Sequence, residues 1–515
     1  MKKINVLYLV MILFCAGINS SFGNTYVVTS NASGTTVDGV SLRWAITQAN
    51  ANPGSDSITF NIPGMAPKII TLSASLPAIM GLNANGTIID GTTQPANGFG
   101  GMSPKIIING HDSISQGLLV QANHCQVLGL CITRFTSNAI TFSGANSFIL
   151  GKPGRGNVIN NVHISGTGVA ITGVDSGKIL SNKIGTDTTG FVAQSCYIGI
   201  STDANTRNIQ IGGSGIAEGN IISGQMGANS ENIYISGSKF ITIKGNFIGP
   251  DRNGHKIPFT NTNVGIYLFA GADSCIIGGS LLGEGNTIAY NMDTTNHIGG
   301  GIECQSSAND LISRNKIFCN GNWGGIEMIA GNNNYPVPVI SVAHTNGAMG
   351  TSSPNAIVEL FYNHSGCYDT TIGCSGETFI GTVTASLTGN WSYIGALTLG
   401  TQITATATDS VNNTSGFASC VPVTSTVGIE NLTAENPFNI FPNPFNSSTT
   451  LVVNNDLMNG GSILTLTDVL GRDVRSIKIT ERSTIIQKGD LSSGVYFYRL
   501  INNQNIIGSG KLVIQ

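Results

Sequence analysis

The sequence predicts an all-β protein: a solenoid of short stacked strands followed by two small β-sandwich domains. Only 10% of the 515 residues are charged, against about 25% in ordinary globular domains, and 67 are glycine. Short phrases recur through the middle of the chain, and the last third alternates in longer strands. The low charge excludes a coiled coil, and a net charge of −3 without a basic segment argues against nucleic-acid binding.

The N-terminus has the pattern of an export signal. Lys2 and Lys3 precede an apolar run, and Ser21-Phe22-Gly23 places small residues where a signal peptidase cuts. The run is shorter than the ~20 residues that a membrane-spanning helix needs. We predict that residues 1–23 are removed during export through the periplasm and that the mature chain begins at Asn24.

The cysteines predict little metal chemistry. Of the ten, Cys15 leaves with the signal, so nine remain and at least one thiol is unpaired unless it bonds to another chain. Cys275 lies in an apolar strand pattern and is expected to be a small core residue. Cys367 and Cys374 flank a short loop and are the best candidates for a disulfide. Without paired C-x-x-C or H-x-x-x-H spacing, the sequence predicts no zinc site.

Three phrases repeat in the middle of the chain. Gly156-Asn157-Val158-Ile159 returns at 219–222 and 285–288, and the phrase that begins at Asn182 returns at Asn246 and, in part, at Asn315. A shorter phrase begins at Gly168, Gly199, Asn232, Gly265, Gly301 and Gly325. Each copy continues with alternating apolar and variable residues, which is typical of a strand. Strands this short need to stack as coils of a solenoid, where they bury one Ile/Val core.

The repeated polar residues suit the turns between coils. Asn tolerates left-handed backbone, and stacked Asn side chains can hydrogen-bond from coil to coil, so Asn182, Asn246 and Asn315 are predicted to be structural. Asp187 and Asp251 each lie three residues before a glycine and are predicted to hold turns. A calcium ion bound by these aspartates is the alternative that remains open, and no other cofactor is predicted.

A helix is predicted at the start of the mature chain, with Ser41 as its cap and Pro53 after its end. Its apolar residues recur with the spacing of one helix face: Leu42, Ala45, Ile46 and Ala49. Together with Ala49-Asn50-Ala51-Asn52-Pro53-Gly54 and Ile89-Asp90-Gly91-Thr92-Thr93-Gln94-Pro95, this segment resembles the recurrent start of secreted bacterial β-helices. The resemblance implies that residues 24–333 form a right-handed parallel β-helix of the pectin-lyase-like superfamily, capped by this helix.

The repeat ends near Asn334, and residues 336–424 alternate over longer strands such as 357–362 and 403–408. This pattern predicts a β-sandwich. The segment resembles an immunoglobulin-like module of bacterial surface proteins, whose role would be spacing or binding. A linker is predicted at 425–436.

Residues 437–515 carry four phrases in order, which are Phe441-Pro442-Asn443-Pro444-Phe445, Asp468-Val469-Leu470-Gly471-Arg472, Leu491 to Leu500, and Gly510 to Ile514. The segment is similar to the type A C-terminal sorting domain of the Bacteroidetes type IX secretion system. The resemblance implies that the secretion machinery is a partner and that the protein is secreted or held at the outer-membrane surface. It also implies that the domain is removed, often with transfer to a glycolipid that would be the only link to the membrane.

The short strands also predict an outward column of side chains: Ala170, Ser201, Tyr234, Tyr267, Glu303 and Glu327. A parallel column beside it holds Asp203, Phe269 and Gln305. Tyrosine faces can stack on sugar rings, and carboxylates accept hydrogen bonds from hydroxyl groups. In the superfamily that the chain resembles, this strand face holds the polysaccharide groove. Glu303 and Glu327 are the candidate catalytic pair, because adjacent carboxylates push their pKa values apart.

Three functions remain open. The first is an adhesin-like protein that binds glycans or other surfaces, with Tyr234, Tyr267, Phe269, Asp203 and Gln305 as ligand-binding residues. The second is a polysaccharide lyase or glycoside hydrolase that acts along the groove. The outward columns contain no Arg or Lys to serve as a lyase base, and the chain has no G-x-S-x-G nucleophile motif. The third is a passive structural stalk.

Overall fold

The computed structural model describes residues 23–34, 38–97, 104–163, 165–227, 229–258, 263–293, 297–363, 374–425, 438–453, 461–502 and 505–515. The predicted signal peptide up to residue 22, Cys367 and residues 426–436 of the predicted linker lie outside these ranges. The chain divides into two compact units, Met1–Ser425 and Thr426–Gln515. In the described ranges no helix is long and apolar enough to cross a membrane.

The first unit begins with a β-helix built from three parallel sheets. Sheet A contains Thr25–Val28, Ser57–Phe60, Ile88–Asp90, Gln126–Leu128, Phe148–Leu150, Asp175–Ile179, Arg207–Gly212, Thr242–Lys244, Ile276–Gly278 and Leu311–Ser313. Sheet B contains Lys68–Thr71, Ile106–Asn109, Leu130–Thr133, Val158–Asn160, Lys183–Ile184, Ile221–Ile222, Phe247–Ile248, Thr287–Ala289 and Lys316–Phe318. Sheet C contains Gln116–Val120, Asn138–Ser143, Thr167–Thr172, Ile198–Thr202, Glu231–Ser236, Val264–Phe269, Gly300–Gln305 and Gly324–Ile329.

One apolar core runs through the β-helix from Tyr26 to Ile326. Isoleucines in equivalent positions of successive coils lie directly above one another, as in the sheet C series Ile200, Ile233, Ile266 and Ile302. All four are fully buried. The β-branched side chains suit a pleated sheet, and each coil covers the apolar face of the next. The predicted all-β solenoid is therefore confirmed.

The repeated asparagines form a single buried ladder along one edge of the core. Each asparagine donates its backbone N–H and its side-chain amide to the side-chain oxygen of the next one, at 2.8–3.1 Å. The ladder contains, in order, Asn157, Asn182, Asn220, Asn246, Asn286 and Asn315. The two longer phrases thus occupy the same turn in alternate coils. Glycine precedes four of these asparagines because the neighbouring coil approaches closely: a Cβ on Gly156 or Gly219 would lie 1.9 Å from a carbonyl oxygen. The structural role predicted for Asn182, Asn246 and Asn315 is confirmed.

The predicted helix, Leu42–Ala51, covers the N-terminal end of the core. The Ser41 hydroxyl accepts from the Trp44 N–H at 3.3 Å and caps the helix. The apolar face of the helix is buried, and the Trp44 ring packs edge-on against Tyr26 with centroids 5.7 Å apart. Short 3₁₀ turns lie at Leu82–Ala84, Gly91–Thr93 and Asn332–Asn334.

A β-sandwich follows the β-helix within the same unit. One antiparallel sheet contains Val339–His344, Gly347–Thr351 and Asn390–Ile394, and the other contains Ile357–Asn363, Gly376–Thr384, Gln402–Thr408 and Val421–Pro422. The disulfide predicted between Cys367 and Cys374 is wrong: Cys374 bonds to Cys420, with Cα atoms 5.7 Å apart. These two cysteines are 46 residues apart in sequence, so spacing along the chain does not reveal the pair. Cys275 is a free, buried core residue as predicted.

The sandwich closes the C-terminal end of the β-helix. The sandwich accepts hydrogen bonds from the last sheet A strand and the residue after it: Thr414 Oγ1 accepts from the Ile312 N–H at 3.0 Å, and Glu359 accepts from the Arg314 N–H at 3.1 Å. Phe417 packs on the end of the β-helix core. An uncovered strand edge would invite aggregation, and these contacts cover it. Both ends of the solenoid are therefore sealed.

The second unit is a separate sandwich with its own core. Its antiparallel sheets contain Phe438–Phe441, Ser448–Val453 and Ser483–Gln487, and Ser462–Thr467, Asp473–Ile479, Gly494–Asn502 and Asn505–Ile514. The sequence phrases of this unit form its turns and anchors. The Asn443 side chain donates to the Lys511 carbonyl at 2.6 Å and accepts from the Val513 N–H at 2.8 Å, which fixes the last strand. Asp468 holds its turn by accepting from Arg472 Nε at 2.7 Å.

Candidate functional site

The outer face of sheet C carries the predicted column in continuous register. Ala170 pairs with Ser201, Ser201 with Tyr234, Tyr234 with Tyr267, Tyr267 with Glu303, and Glu303 with Glu327. Neighbouring rungs of such a ladder lie about 4.8 Å apart. The strands thus place two tyrosines and two glutamates in one line along the axis of the β-helix. What this line binds stays a prediction.

Three aromatic rings form a half-exposed cluster on this face. The Tyr234 and Tyr267 rings have centroids 5.5 Å apart, and Phe269 lies 5.4 Å from Tyr267 and 6.2 Å from Tyr234. The Tyr267 hydroxyl donates to Gln305 Oε1 on the next rung. The Tyr234 and Phe269 rings are 27° from parallel, and the Tyr267 ring is tilted by 50–52° to both. This packing and the hydrogen bond hold the rings in place, so an apolar surface is formed before any ligand binds.

Carboxyl groups continue the face beyond the aromatic cluster. Glu303 and Glu231 are only 7% and 8% exposed, and Glu327 is half-buried. Burial, strengthened by the Glu327 carboxylate, raises the pKa of Glu303 to about 7. Burial and the Glu303 carboxylate raise the pKa of Glu231 to about 8, and burial alone raises the pKa of Glu327. The same carboxylates act on Tyr267, whose pKa is raised by burial and by Glu303, Tyr234 and Glu231 to about 12.

Glu231 belongs to this site although sequence reasoning did not single it out. It pairs with Ile198 and Val264 in the ladder, at the start of its strand. The next two residues, Asn232 and Ile233, are both fully buried. Alternation groups Glu231 with the inward Ile233 and Ile235, so a period-two analysis does not reveal its electrostatic interaction with Glu303 and Tyr267.

A cleft lies at the end of the column, between the last coils and the sandwich. Its volume is 430 Å³, within the range of small-ligand sites. The lining includes Glu327 together with Trp323, Met328, Tyr335 and Phe417. The column therefore runs from an aromatic cluster across carboxyl groups into a second aromatic recess.

Asp203 does not join the second column as predicted. Phe269 and Gln305 do pair, and Ser236 is their neighbour on the preceding rung. Asp203 lies beyond the end of its strand, where its carboxylate accepts from the Gly173 N–H at 3.0 Å and from the Thr206 hydroxyl at 2.8 Å. The turn uses this carboxylate, so Asp203 is a structural residue.

Asp187 and Asp251 hold loops in separate coils. Asp187 Oδ1 accepts the backbone N–H groups of Gly190, Phe191 and Val192 at 2.9–3.2 Å. Asp251 Oδ1 accepts from the N–H groups of Asn253 and His255. Each Oδ1 atom therefore holds its own turn. The described residues contain no group of three or more His, Cys, Asp or Glu that could hold a metal ion. Calcium binding by these two aspartates stays an untested alternative.

Solved structures share only local likeness with the chain. A biofilm-associated protein BSP domain is 14% identical, over 36% of this chain and 30% of that chain, with a TM-score of 0.14. Dimeric latent PorU from Porphyromonas gingivalis is 17% identical, over 37% of this chain and 22% of that chain, with a TM-score of 0.14. The SGBP-B protein of a Bacteroides ovatus mixed-linkage glucan utilization locus, solved with a mixed-linkage heptasaccharide, is 15% identical, over 37% of this chain and 48% of that chain, with a TM-score of 0.15.

The chain spans less than two thirds of each of these structures, and TM-scores this low establish neither fold nor function. The search of curated proteins returned no match. The family comparison is specific: residues 439–515 match the secretion system C-terminal sorting domain. The matched residues include the four sequence phrases that form the turns of the second unit and fix its last strand. Residues 439–515 are therefore a sorting domain, and the chain is exported by the type IX secretion system to the cell surface or the extracellular space.

Proposed function

We propose that this exported protein binds glycans along the outer face of sheet C. The observation that carries the proposal is the half-exposed cluster of Tyr234, Tyr267 and Phe269, in line with Glu303 and Glu327. Aromatic faces offer flat apolar surfaces to sugar rings, and carboxyl groups exchange hydrogen bonds with hydroxyls. Because equivalent positions repeat on every rung, the face suits an extended chain of similar units.

Binding of the mature chain, residues 24–515, to a panel of neutral, acidic and amino polysaccharides tests the proposal. We expect Tyr234→Ala and Tyr267→Ala each to weaken binding by about tenfold, because a central aromatic contact contributes more than 1 kcal/mol. Tyr393→Ala, which removes a half-buried ring from the sandwich, is the matched control and should leave affinity unchanged. Unchanged affinity in both face variants contradicts the proposal.

A second candidate function is glycoside hydrolysis by Glu303 and Glu327. The specific observation is that these two glutamates occupy adjacent rungs, about 4.8 Å apart along the axis, while the pKa of Glu303 is raised to about 7. A short carboxyl separation is typical of retaining glycosidases, in which one carboxyl is the acid and the other the nucleophile. This candidate requires both side chains to reach a bound sugar from the same groove.

A turnover screen separates the two candidates. New reducing or unsaturated chain ends that disappear in Glu303→Gln and Glu327→Gln, without loss of folding, would establish the enzyme. Binding without product favours the adhesin-like function. A protein that neither cuts nor binds any polysaccharide of the panel, and is indifferent to all four substitutions, is a structural stalk.

A further inference from the structure

The proposed glycan-binding face contains three carboxyl groups and no basic partner for them among the described residues. Glu303 and Glu231 are more than nine-tenths buried, and their carboxyl groups have no hydrogen-bond or ion-pair partner among the described residues. Glu327, one rung beyond Glu303, also has no such partner there. The three carboxyl groups interact electrostatically: Glu303 contributes to the raised pKa of Glu231, and Glu327 contributes to the raised pKa of Glu303. The face is therefore built around three uncompensated carboxyl groups.

No basic side chain of the outward columns balances these groups. The columns of sheet C contain neither Lys nor Arg. The basic residues that follow two of its strands in the chain are already used: Arg207 pairs with Asp175 at 2.8 Å, and Lys239 pairs with Asp273 at 3.1 Å. A cation beside these carboxyl groups would therefore have to be supplied by a ligand.

Unpaired buried carboxylates are costly, and a bound cation relieves that cost. Burial and a neighbouring carboxylate raise the pKa values of Glu231 and Glu303, and a neighbouring cation would lower them. The adjoining rings of Tyr234, Tyr267 and Phe269 favour a cation as well, because an ammonium group is attracted to an aromatic face. A bare metal ion is disfavoured because no three His, Cys, Asp or Glu side chains of the described residues are grouped so that they could hold one.

We propose that the ligand of this face is a glycan with free amino groups, and that glycans with uronate groups are rejected. This inference rests on the proposed glycan-binding function and specifies its ligand class. The aromatic cluster receives the sugar rings, and the ammonium groups lie against Glu303 and Glu327. A uronate at the same place would bring two like charges together with no cation between them.

A charge series on one type of sugar chain tests the inference. The mature chain is titrated calorimetrically at neutral pH with a glucosamine oligomer, its N-acetylated counterpart and an oligogalacturonate. We expect the glucosamine oligomer to bind at least about tenfold more tightly than the N-acetylated one, and the oligogalacturonate not to bind. Glu303→Gln and Glu327→Gln should each reduce the ratio of the affinity for the glucosamine oligomer to the affinity for the N-acetylated oligomer. Glu481→Gln, an exposed carboxylate of the second unit, is the matched control, and circular dichroism verifies folding.

The outcomes separate this inference from the function on which it rests. Equal binding of the amine and N-acetylated oligomers, weakened by Tyr234→Ala, keeps the glycan-binding function and overturns the amine preference. Tighter binding of the oligogalacturonate overturns it too. An oligolysine bound as tightly as the glucosamine oligomer overturns the sugar part of the inference, because charge alone would then be recognised. No binding of any oligomer contradicts both the function and the inference.

Discussion

The buried asparagine ladder should be a main source of β-helix stability, and Asn220→Ala tests this. Asn220 lies in the middle of the ladder and is fully buried. Its side-chain oxygen accepts from the N–H and the amide of Asn182 at 2.9 and 3.1 Å. Its amide donates to the Ile179 carbonyl at 2.8 Å and to Asn246 Oδ1 at 2.9 Å. Alanine removes all four bonds and leaves the buried Asn182 N–H without its acceptor.

The expected loss follows from this count. A buried hydrogen bond contributes about 1 kcal/mol net, and an orphaned buried donor costs about 1–3 kcal/mol, so we expect Asn220→Ala to lower the free energy of unfolding by about 4 kcal/mol. Asn253→Ala is the matched control, because the Asn253 side chain is exposed and makes no hydrogen bond within the described residues. An exposed substitution of this kind should change stability by less than about 0.5 kcal/mol.

Urea unfolding of the mature chain, followed by tryptophan fluorescence, measures the difference. Trp44 and Trp323 report on the two ends of the β-helix, and amide hydrogen exchange shows whether protection is lost at Asn182 and its neighbours. A destabilisation by Asn220→Ala below about 1 kcal/mol, or no greater than that of Asn253→Ala, would refute the reasoning. The ladder would then be a consequence of coil stacking that adds little to it.

Three further predictions concern the cap, the cysteines and pH. Phe417→Ala should destabilise the first unit by about 3 kcal/mol in urea, because it removes a ring that packs on the end of the core; an unchanged midpoint would contradict the capping role. Peptide mapping without reduction should recover Cys374 linked to Cys420. Thiol reagents should label the five buried cysteines that are free among the described residues only after unfolding; labelling in the native state would refute this. Folding raises the pKa of Glu231 to about 8 and that of Glu303 to about 7, from the ordinary value of 4.5. The protonated carboxyl groups therefore contribute stability that is fully present below pH 4.5 and is lost as the pH rises through 7 to 8. The thermal midpoint of a Glu231→Gln, Glu303→Gln double variant should fall less over that interval than the native midpoint; equal slopes would contradict the assignment.

Much of the candidate site could be read from the sequence because strand alternation fixes which side chains share a face. The column from Ala170 to Glu327 lies in register because each short phrase begins at the same place in its coil. Strand alternation did not predict the positions of Asp203 and Glu231 correctly. Asp203 lies after its strand has ended, and alternation groups Glu231 with the inward isoleucines of its own strand.

The sequence by itself determined the repeating architecture, the capping helix and the sorting domain, since these depend on local periodicity and on short contiguous phrases. The tertiary structure alone decided the rest. In the folded chain, asparagines of two different phrases form one ladder, and Cys374 bonds to Cys420. The sandwich covers the last strand edge, and carboxyl groups from different coils lie close to one another. Each of these features joins residues that are distant along the chain. Their contacts depend on how the coils stack, which no local pattern specifies.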